Sequence, residues 1–187
     1  MPDFKSSLTL NGTEVSLAGH THPDVDTVPK GTAFPGSPAS GDVYFRTDLG
    51  MWCYYDGTRW LSSQRYTDSF PFVQNISVNT DVVADMTPAE TVHKPYLLRW
   101  DVICTVRATN SASNYWRIGL YRAGGTSVVS VNTSLIAANA TYQSVSSTSG
   151  FSQPYASPTL WYPYAVKVGT PTGLDFWAKV TYQLVIT

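Results

Sequence analysis

Two of the chain's three histidines, His20 and His22, stand close together in the stretch Ala18-Gly19-His20-Thr21-His22-Pro23. In an extended backbone, residues two apart point to the same side, so both imidazoles would lie on one strand edge. Imidazole is a common ligand of first-row transition metals, and an octahedral metal ion takes six donors. One chain offers two such donors, so three chains on a threefold axis would offer six. The pair therefore predicts a metal site shared by three copies of the chain.

Two other interpretations of this pair stay open. A histidine pair beside proline and aspartate is also compatible with an ordinary surface turn. Together with the distant His93, the pair could form the three-histidine metal site of a β-sandwich enzyme. Position disfavours the enzyme, because His20 and His22 precede every convincing core strand and Pro23 would interrupt a central strand ladder. His93 itself falls in a predicted loop with no nucleophile motif nearby.

The overall composition excludes several classes of function. The chain has 187 residues and a net charge of −1, and its charged residues make up only 13%, about half the usual share. Nucleic-acid binding needs a basic patch that neutralises phosphates, so we expect no nucleic-acid partner. No apolar run approaches the roughly 20 residues of a membrane-spanning helix. No apolar segment follows the first five residues, so we expect neither a signal peptide nor membrane insertion.

The N-terminal region, residues 1–40, is predicted to be an extended arm. Two alternating segments flank Asn11-Gly12, which is a strong signal for a β-hairpin. Residues 18–41 contain four prolines among glycine, serine and threonine, a composition typical of semi-rigid linkers. The arm has no core of its own. We therefore expect it to pack against equivalent arms of other subunits.

Residues 41–64 are predicted to form a small aromatic meander of three strands, at residues 41–47, 51–55 and 59–61. Turn signals at Asp48-Leu49-Gly50 and Asp56-Gly57 separate these strands. So few residues cannot form a stable sheet alone. We expect the meander to pack on a neighbouring element.

Residues 65–187 are predicted to form one antiparallel β-sandwich, most simply a jelly roll, which makes the fold class all-β. The predicted strands cover residues 70–78, 96–109, 115–121, 126–131, 141–147, 160–168 and 174–186. The last of these alternates apolar and other residues at strict period 2, as expected of a long half-buried strand. Cys53 and Cys104 both fall in strand-like runs and are predicted to be buried thiols rather than a disulfide.

A segment rich in proline and aromatic residues, from Phe151 to Tyr164, is the best candidate for a recognition surface. Aromatic side chains on proline-stiffened backbone give rigid, amphipathic contact area, which suits stacking on sugars or contact with proteins. The predicted receptor or partner contacts are Tyr155, Trp161, Tyr162 and Tyr164. The alternative is that the last three are core or subunit-interface residues at the start of a strand.

Two N-terminal stretches resemble elements of bacteriophage virion proteins. The strand that leads into Leu17-Ala18-Gly19-His20-Thr21-His22 resembles the Gly-His-Thr-His elements of tail fibres. In some of those fibres, such motifs from three parallel chains bind an iron ion on the axis. Residues 38–60 resemble a small module of phage structural proteins, in which Pro-x-x-Gly-Asp-x-Tyr precedes a Tyr-Asp-Gly-Thr-x-Trp hairpin. Iron-binding fibres often carry several His-x-His repeats, whereas this chain has one.

The resemblance implies a homotrimeric virion protein, assembled in the host cytoplasm, that forms a short spike or fibre on the phage particle. The arm would attach to other virion proteins, and the sandwich would point outward and bind a host-surface glycan or protein. An iron-like transition metal at His20 and His22 would be the cofactor. A trimeric capsid decoration or cement protein stays open as an alternative. No catalytic motif is present, so we expect no enzymatic activity.

Overall fold

The structure is a computed structural model that describes residues 7–10, 13–16, 28–81, 93–108, 111–122, 125–137, 142–151 and 161–187. Within these ranges the chain forms strands and turns, without a helix. The strands are β1 (Ser7–Leu10), β2 (Thr13–Ser16), β3 (Lys30–Gly31), β4 (Val43–Arg46), β5 (Met51–Tyr55), β6 (Trp60–Ser62), β7 (Tyr66–Ser69), β8 (Val73–Ile76), β9 (Thr80–Asp81), β10 (Lys94–Ala108), β11 (Tyr115–Arg122), β12 (Thr126–Asn132), β13 (Gln143–Ser147), β14 (Trp161–Val168) and β15 (Thr172–Ile186).

The strands form a hairpin and two larger sheets. The large sheet has the order β13-β10-β15-β6-β5-β4-β3, with β7 and β8 also paired to β15. The small sheet has the order β12-β11-β14-β9. β1 and β2 pair antiparallel with Leu10 opposite Thr13, which confirms the predicted hairpin. The all-β class and the sandwich architecture predicted from the sequence are confirmed.

The core lies between the large and small sheets, and alternation along the strands fills it. In β15 the even-numbered residues from Leu174 to Ile186 are at most 2% exposed. β10 runs antiparallel to β15 along nearly its whole length and buries Trp100, Val102 and Cys104 completely. The small sheet contributes apolar side chains of β11 to the same core. The indole Nε1 of Trp100 also donates a hydrogen bond to the Ile118 carbonyl at 3.3 Å, which links the two sheets.

The second edge of β15 pairs with three short strands in turn, namely β8, β7 and β6. The predicted strand over residues 70–78 is therefore wrong in its extent, because β7 ends at Ser69 and β8 begins only at Val73. Phe70 turns inward and is 2% exposed, and Pro71 follows it without an N–H for the ladder. Asn75, at a φ of 60°, marks an irregularity in the β8 pairing.

The meander β4-β5-β6 continues the large sheet, because β6 pairs with the end of β15 through Leu61 and Val185. Side chains strengthen this junction. The Tyr54 hydroxyl bonds Gln183 Oε1 at 2.9 Å, and the Leu184 N–H donates to Ser62 Oγ at 3.0 Å. The predicted domain boundary between residues 64 and 65 stays a prediction about folding units, but sheet hydrogen bonding crosses it.

Part of the predicted arm packs against the meander of its own chain. The ring of Phe34 stacks on Trp60 with centroids 4.4 Å apart and an interplanar angle of 3°. The buried Arg46 guanidinium also lies over the Phe34 ring, with its Cζ 4.7 Å from the ring centroid. Arg46 also forms a two-bond ion pair with Asp48 and reaches the Thr187 backbone oxygen at 3.3 Å. These contacts tie residues near 34 to the end of β15.

We predict that the meander and the sandwich unfold together. Leu61 is 1% exposed at their junction, so Leu61→Ala should lower the free energy of unfolding by about 2–5 kcal/mol, as for other buried leucines. Leu135 is 95% exposed, so Leu135→Ala should change it by no more than about 0.5 kcal/mol. Urea unfolding followed by circular dichroism and by tryptophan fluorescence measures both variants. Separate transitions for the two probes, with only one shifted by Leu61→Ala, would contradict the prediction.

Candidate functional site

Three tyrosines cluster on the outer side of the small sheet. In the β11–β14 pairing Tyr121 lies opposite Tyr162, and Gly119 lies opposite Tyr164. The Tyr121 ring stacks on Tyr162 with centroids 6.0 Å apart, and it meets Tyr164 edge-on at 5.2 Å. All three side chains are half-buried. We call Tyr121, Tyr162 and Tyr164 the tyrosine face.

The packing of the tyrosine face depends on a glycine beneath it. A Cβ at Gly119 would lie 2.7 Å from Cε2 of Tyr121 and 3.0 Å from the Val129 carbonyl oxygen. Atoms this close would overlap, so the absence of a side chain at Gly119 lets the Tyr121 ring lie over the backbone. The arrangement is held by a paired sheet, and it gives the face a fixed shape.

The four predicted contact residues separate in the structure. Tyr162 and Tyr164 lie on the tyrosine face, whereas Trp161 points inward, is 3% exposed and packs against Tyr182 at 5.5 Å. Trp161 is therefore a core residue, as in the alternative interpretation, because it lies on the side of β14 that faces the core. Tyr155 lies outside the described residues. Tyr121 was not among the predicted contacts, although the alternation of residues 115–121 indicates that it shares the outer side with Arg117.

The tyrosine face has the chemistry of a contact surface. Each ring combines an apolar surface with a hydroxyl that both donates and accepts hydrogen bonds. Such rings suit stacking on sugar rings or contact with a protein partner, and their few rotatable bonds limit the entropy lost on binding. No nucleophile and base are paired among its three residues.

The three histidines form no metal site within the residues that the structure describes. His20 and His22 lie outside the described residues, and the metal predicted there stays a prediction. His93 is half-buried immediately before β10. Within the described ranges, no group of three or more histidine, cysteine, aspartate or glutamate side chains could hold a metal ion.

A second aromatic surface lies on the outer side of the meander. Phe45 and Trp52 are cross-strand partners with ring centroids 5.0 Å apart. Trp52 is 42% exposed and neighbouring Val43 is 50% exposed, which is high for such large apolar side chains. We call Val43, Phe45 and Trp52 the meander face. Exposed apolar patches of this kind often mark contacts with other chains.

The two cysteines are buried and unpaired, which confirms the predicted burial. Burial disfavours the charged thiolate and raises the pKa of Cys53 to about 11 and that of Cys104 to about 12. Because the thiolate is the reactive form, neither residue is suited to act as a nucleophile at neutral pH. Both serve as small core residues.

Charged side chains near the sheets are used for structure. Arg46 donates hydrogen bonds to Asp48 and thereby lowers the pKa of that carboxyl group. Asp175 is 6% exposed, accepts from Arg107 at 2.8 Å and also accepts from the Asn75 N–H at 2.7 Å. These pairs fix strands and turns, and they lie apart from the tyrosine face.

Comparison with known proteins leaves the family open. No protein-family model matches the chain, and no curated protein matches its sequence. Among solved structures, the crystal structure of FLHE is 12% identical with a TM-score of 0.37, covering 66% of this chain and 97% of that one.

No helix in the described ranges is long and apolar enough to cross a membrane.

Two further structural similarities involve assembled proteins. A structure of Bacillus endospore appendages, described as disulfide-linked pili, is 8% identical with a TM-score of 0.33, covering 83% of this chain and all of that one. The VP2 subviral particle of infectious bursal disease virus is 12% identical with a TM-score of 0.24, covering 81% of this chain and 50% of that one. These TM-scores are too low to assign a fold family, and the similarities carry no argument about function.

We predict that the buried thiols make the free energy of unfolding fall at alkaline pH. Unfolded thiols ionise near pH 9.0, whereas Cys53 and Cys104 ionise only near 11 and 12 in the folded chain. Their contribution to stability should be complete below pH 9 and be lost as the pH rises through 11 and 12. Urea unfolding between pH 8 and 11 should show a smaller decline for the Cys53→Ala, Cys104→Ala double variant. Equal declines for the two proteins would contradict this.

Proposed function

We propose that the chain is a structural protein of a bacteriophage virion, and that three copies form a short spike or fibre whose sandwich binds the host surface. The observation that carries the proposal is the tyrosine face, a rigid aromatic surface built on a paired sheet. The phage-like motifs at residues 17–22 and 38–60 support the virion context. Free buried thiols are compatible with assembly in a reducing host cytoplasm.

Trimerisation is supported by the meander face. Aromatic residues are enriched at subunit interfaces, and an exposed tryptophan beside an exposed valine leaves apolar area for another chain to cover. Association in a closed trimer would also protect sheet edges that a single chain exposes. In this arrangement the arms of three chains lie together, and His20 and His22 of each would supply the six imidazole donors of an iron-like ion.

The tyrosine face supports host binding rather than assembly alone. It lies on the small sheet, whereas the meander face lies on the meander strands of the large sheet. Because the two aromatic surfaces are separate, one can join subunits while the other contacts a glycan or protein of the host. Electron microscopy of virions labelled through this protein would distinguish a tail position from the alternative of capsid decoration.

The trimer is tested by light scattering after size-exclusion chromatography. We expect three times the chain mass of 20.5 kDa. Trp52→Glu places a charge on the meander face and should yield the monomer. The control Leu135→Glu changes a side chain that is 95% exposed and should stay trimeric. A monomeric unmodified chain, or a trimer that tolerates Trp52→Glu, would contradict this part of the proposal.

Host binding is tested with an array of bacterial surface polysaccharides and with fixed bacterial cells. Tyr162→Ala and Tyr164→Ala should each weaken binding about tenfold or more, because aromatic anchors dominate binding energy. The matched control is Tyr142→Ala, since Tyr142 is 52% exposed outside the small sheet. Light scattering of each variant shows whether assembly is retained. Equal loss of binding in the control would assign the effect to something other than the tyrosine face.

A further inference from the structure

A groove with a volume of about 390 Å³ opens where the meander meets the sandwich. Its walls come from three parts of the chain, and they include Arg59, Tyr96, Leu98, Thr148, Ser149 and Phe151. The volume lies within the range of small-molecule sites. None of these residues belongs to the tyrosine face or to the meander face.

Arg59 is the only charged side chain among the described residues that line the groove. Its Cζ lies 5.0 Å from the centroid of the Tyr96 ring, a cation–π arrangement. Asp56 forms an ion pair with the same guanidinium, with Oδ2 3.4 Å from Nε of Arg59. The Oδ1 atom of Asp56 accepts hydrogen bonds from the backbone N–H groups of Thr58 and Arg59, each at 2.8 Å, so this carboxylate is itself fixed.

These contacts orient the guanidinium, whose Nε is buried, and leave its two Nη groups available. Asp56 approaches Nε, and within the described part of the chain no hydrogen bond reaches the two Nη groups of Arg59. A guanidinium with two adjacent Nη donors matches the two oxygens of a carboxylate. The side chain is 26% exposed, so a ligand can reach it.

The other walls add two further requirements for the ligand. Tyr96 and Phe151 are half-buried aromatic residues, and Phe151 also packs against the core, so they supply firm apolar surface. Thr148 and Ser149 are exposed and place hydroxyl groups at the rim. A suitable ligand therefore has an apolar ring surface, several hydroxyl groups and one carboxylate.

We propose that the groove binds an acidic pyranose, with its carboxylate on Arg59, its ring against Tyr96 and Phe151, and its hydroxyl groups toward Thr148 and Ser149. A uronic acid and a nonulosonic acid such as N-acetylneuraminic acid share this chemistry. The inference does not depend on the virion role, because it is drawn from the groove of a single chain.

Saturation-transfer NMR of the free sugars tests the site with the full-length chain. Glucuronate or N-acetylneuraminate should give saturation transfer with millimolar affinity, and comparison of the two identifies the preferred acid. Glucose, the neutral counterpart of glucuronate, should give none. Equal signals for glucose and glucuronate, or none for either acid, would overturn the proposal.

Variants then assign the binding to this groove. Arg59→Gln should weaken the preferred acid about tenfold or more, since a hydrogen bond to a charged group is lost. Arg59→Lys should bind the acid more tightly than Arg59→Gln but less tightly than the unmodified chain, because an ammonium lacks the planar pair of donors. Ser149→Trp should block the groove while Arg59 stays in place. The matched control Arg117→Gln removes an exposed arginine from the small sheet and should bind like the unmodified chain.

Thermal unfolding of each variant controls for loss of fold. Undiminished binding by both Arg59→Gln and Ser149→Trp would overturn the assignment. The outcome is separable from that of the proposed virion role, since a chain that is monomeric and ignores polysaccharide arrays can still bind glucuronate through Arg59. Conversely, trimers whose array binding needs Tyr162, from a chain that gives no saturation transfer with either acid, would support the virion role and overturn the proposal for this groove.

Discussion

Strand β15 is the element on which the other parts of the large sheet depend, because both of its edges are hydrogen-bonded. One edge pairs with β10, and the other pairs in turn with β8, β7 and β6. A shift of one residue would turn the buried side chains of β15 outward, so the apolar core fixes its register. The same register then places the meander, through β6, and the central strand β10.

This arrangement explains which aromatic side chains are buried in the core and which lie on the outer sides of the sheets. Trp100, Trp116 and Phe176 fill the space between the sheets and are each fully buried. On the outer sides, alternation places the tyrosine face on the small sheet and the meander face on the large sheet. Because both faces rest on paired strands, their shapes are set before any partner arrives, and binding loses little conformational entropy.

The Arg59 groove illustrates how a site can result from the joining of elements. Arg59 belongs to the turn before β6, Tyr96 to β10, and Ser149 to the segment after β13. None of these residues is near another in sequence. They meet because β6 and β10 both pair with β15, and β13 pairs with β10. A sheet that accepted the meander in another position would have no such groove.

The sequence by itself determined the all-β class, the hairpin around Asn11-Gly12, most strand positions and the burial of Cys53 and Cys104, because period-2 alternation and turn signals are local properties. Only the tertiary structure decided that Trp161 points inward, that Tyr121 joins Tyr162 and Tyr164, and that Arg59 reaches Tyr96. Those outcomes depend on which strands become neighbours and in which register. Such pairing is set by long-range packing, which no local pattern contains.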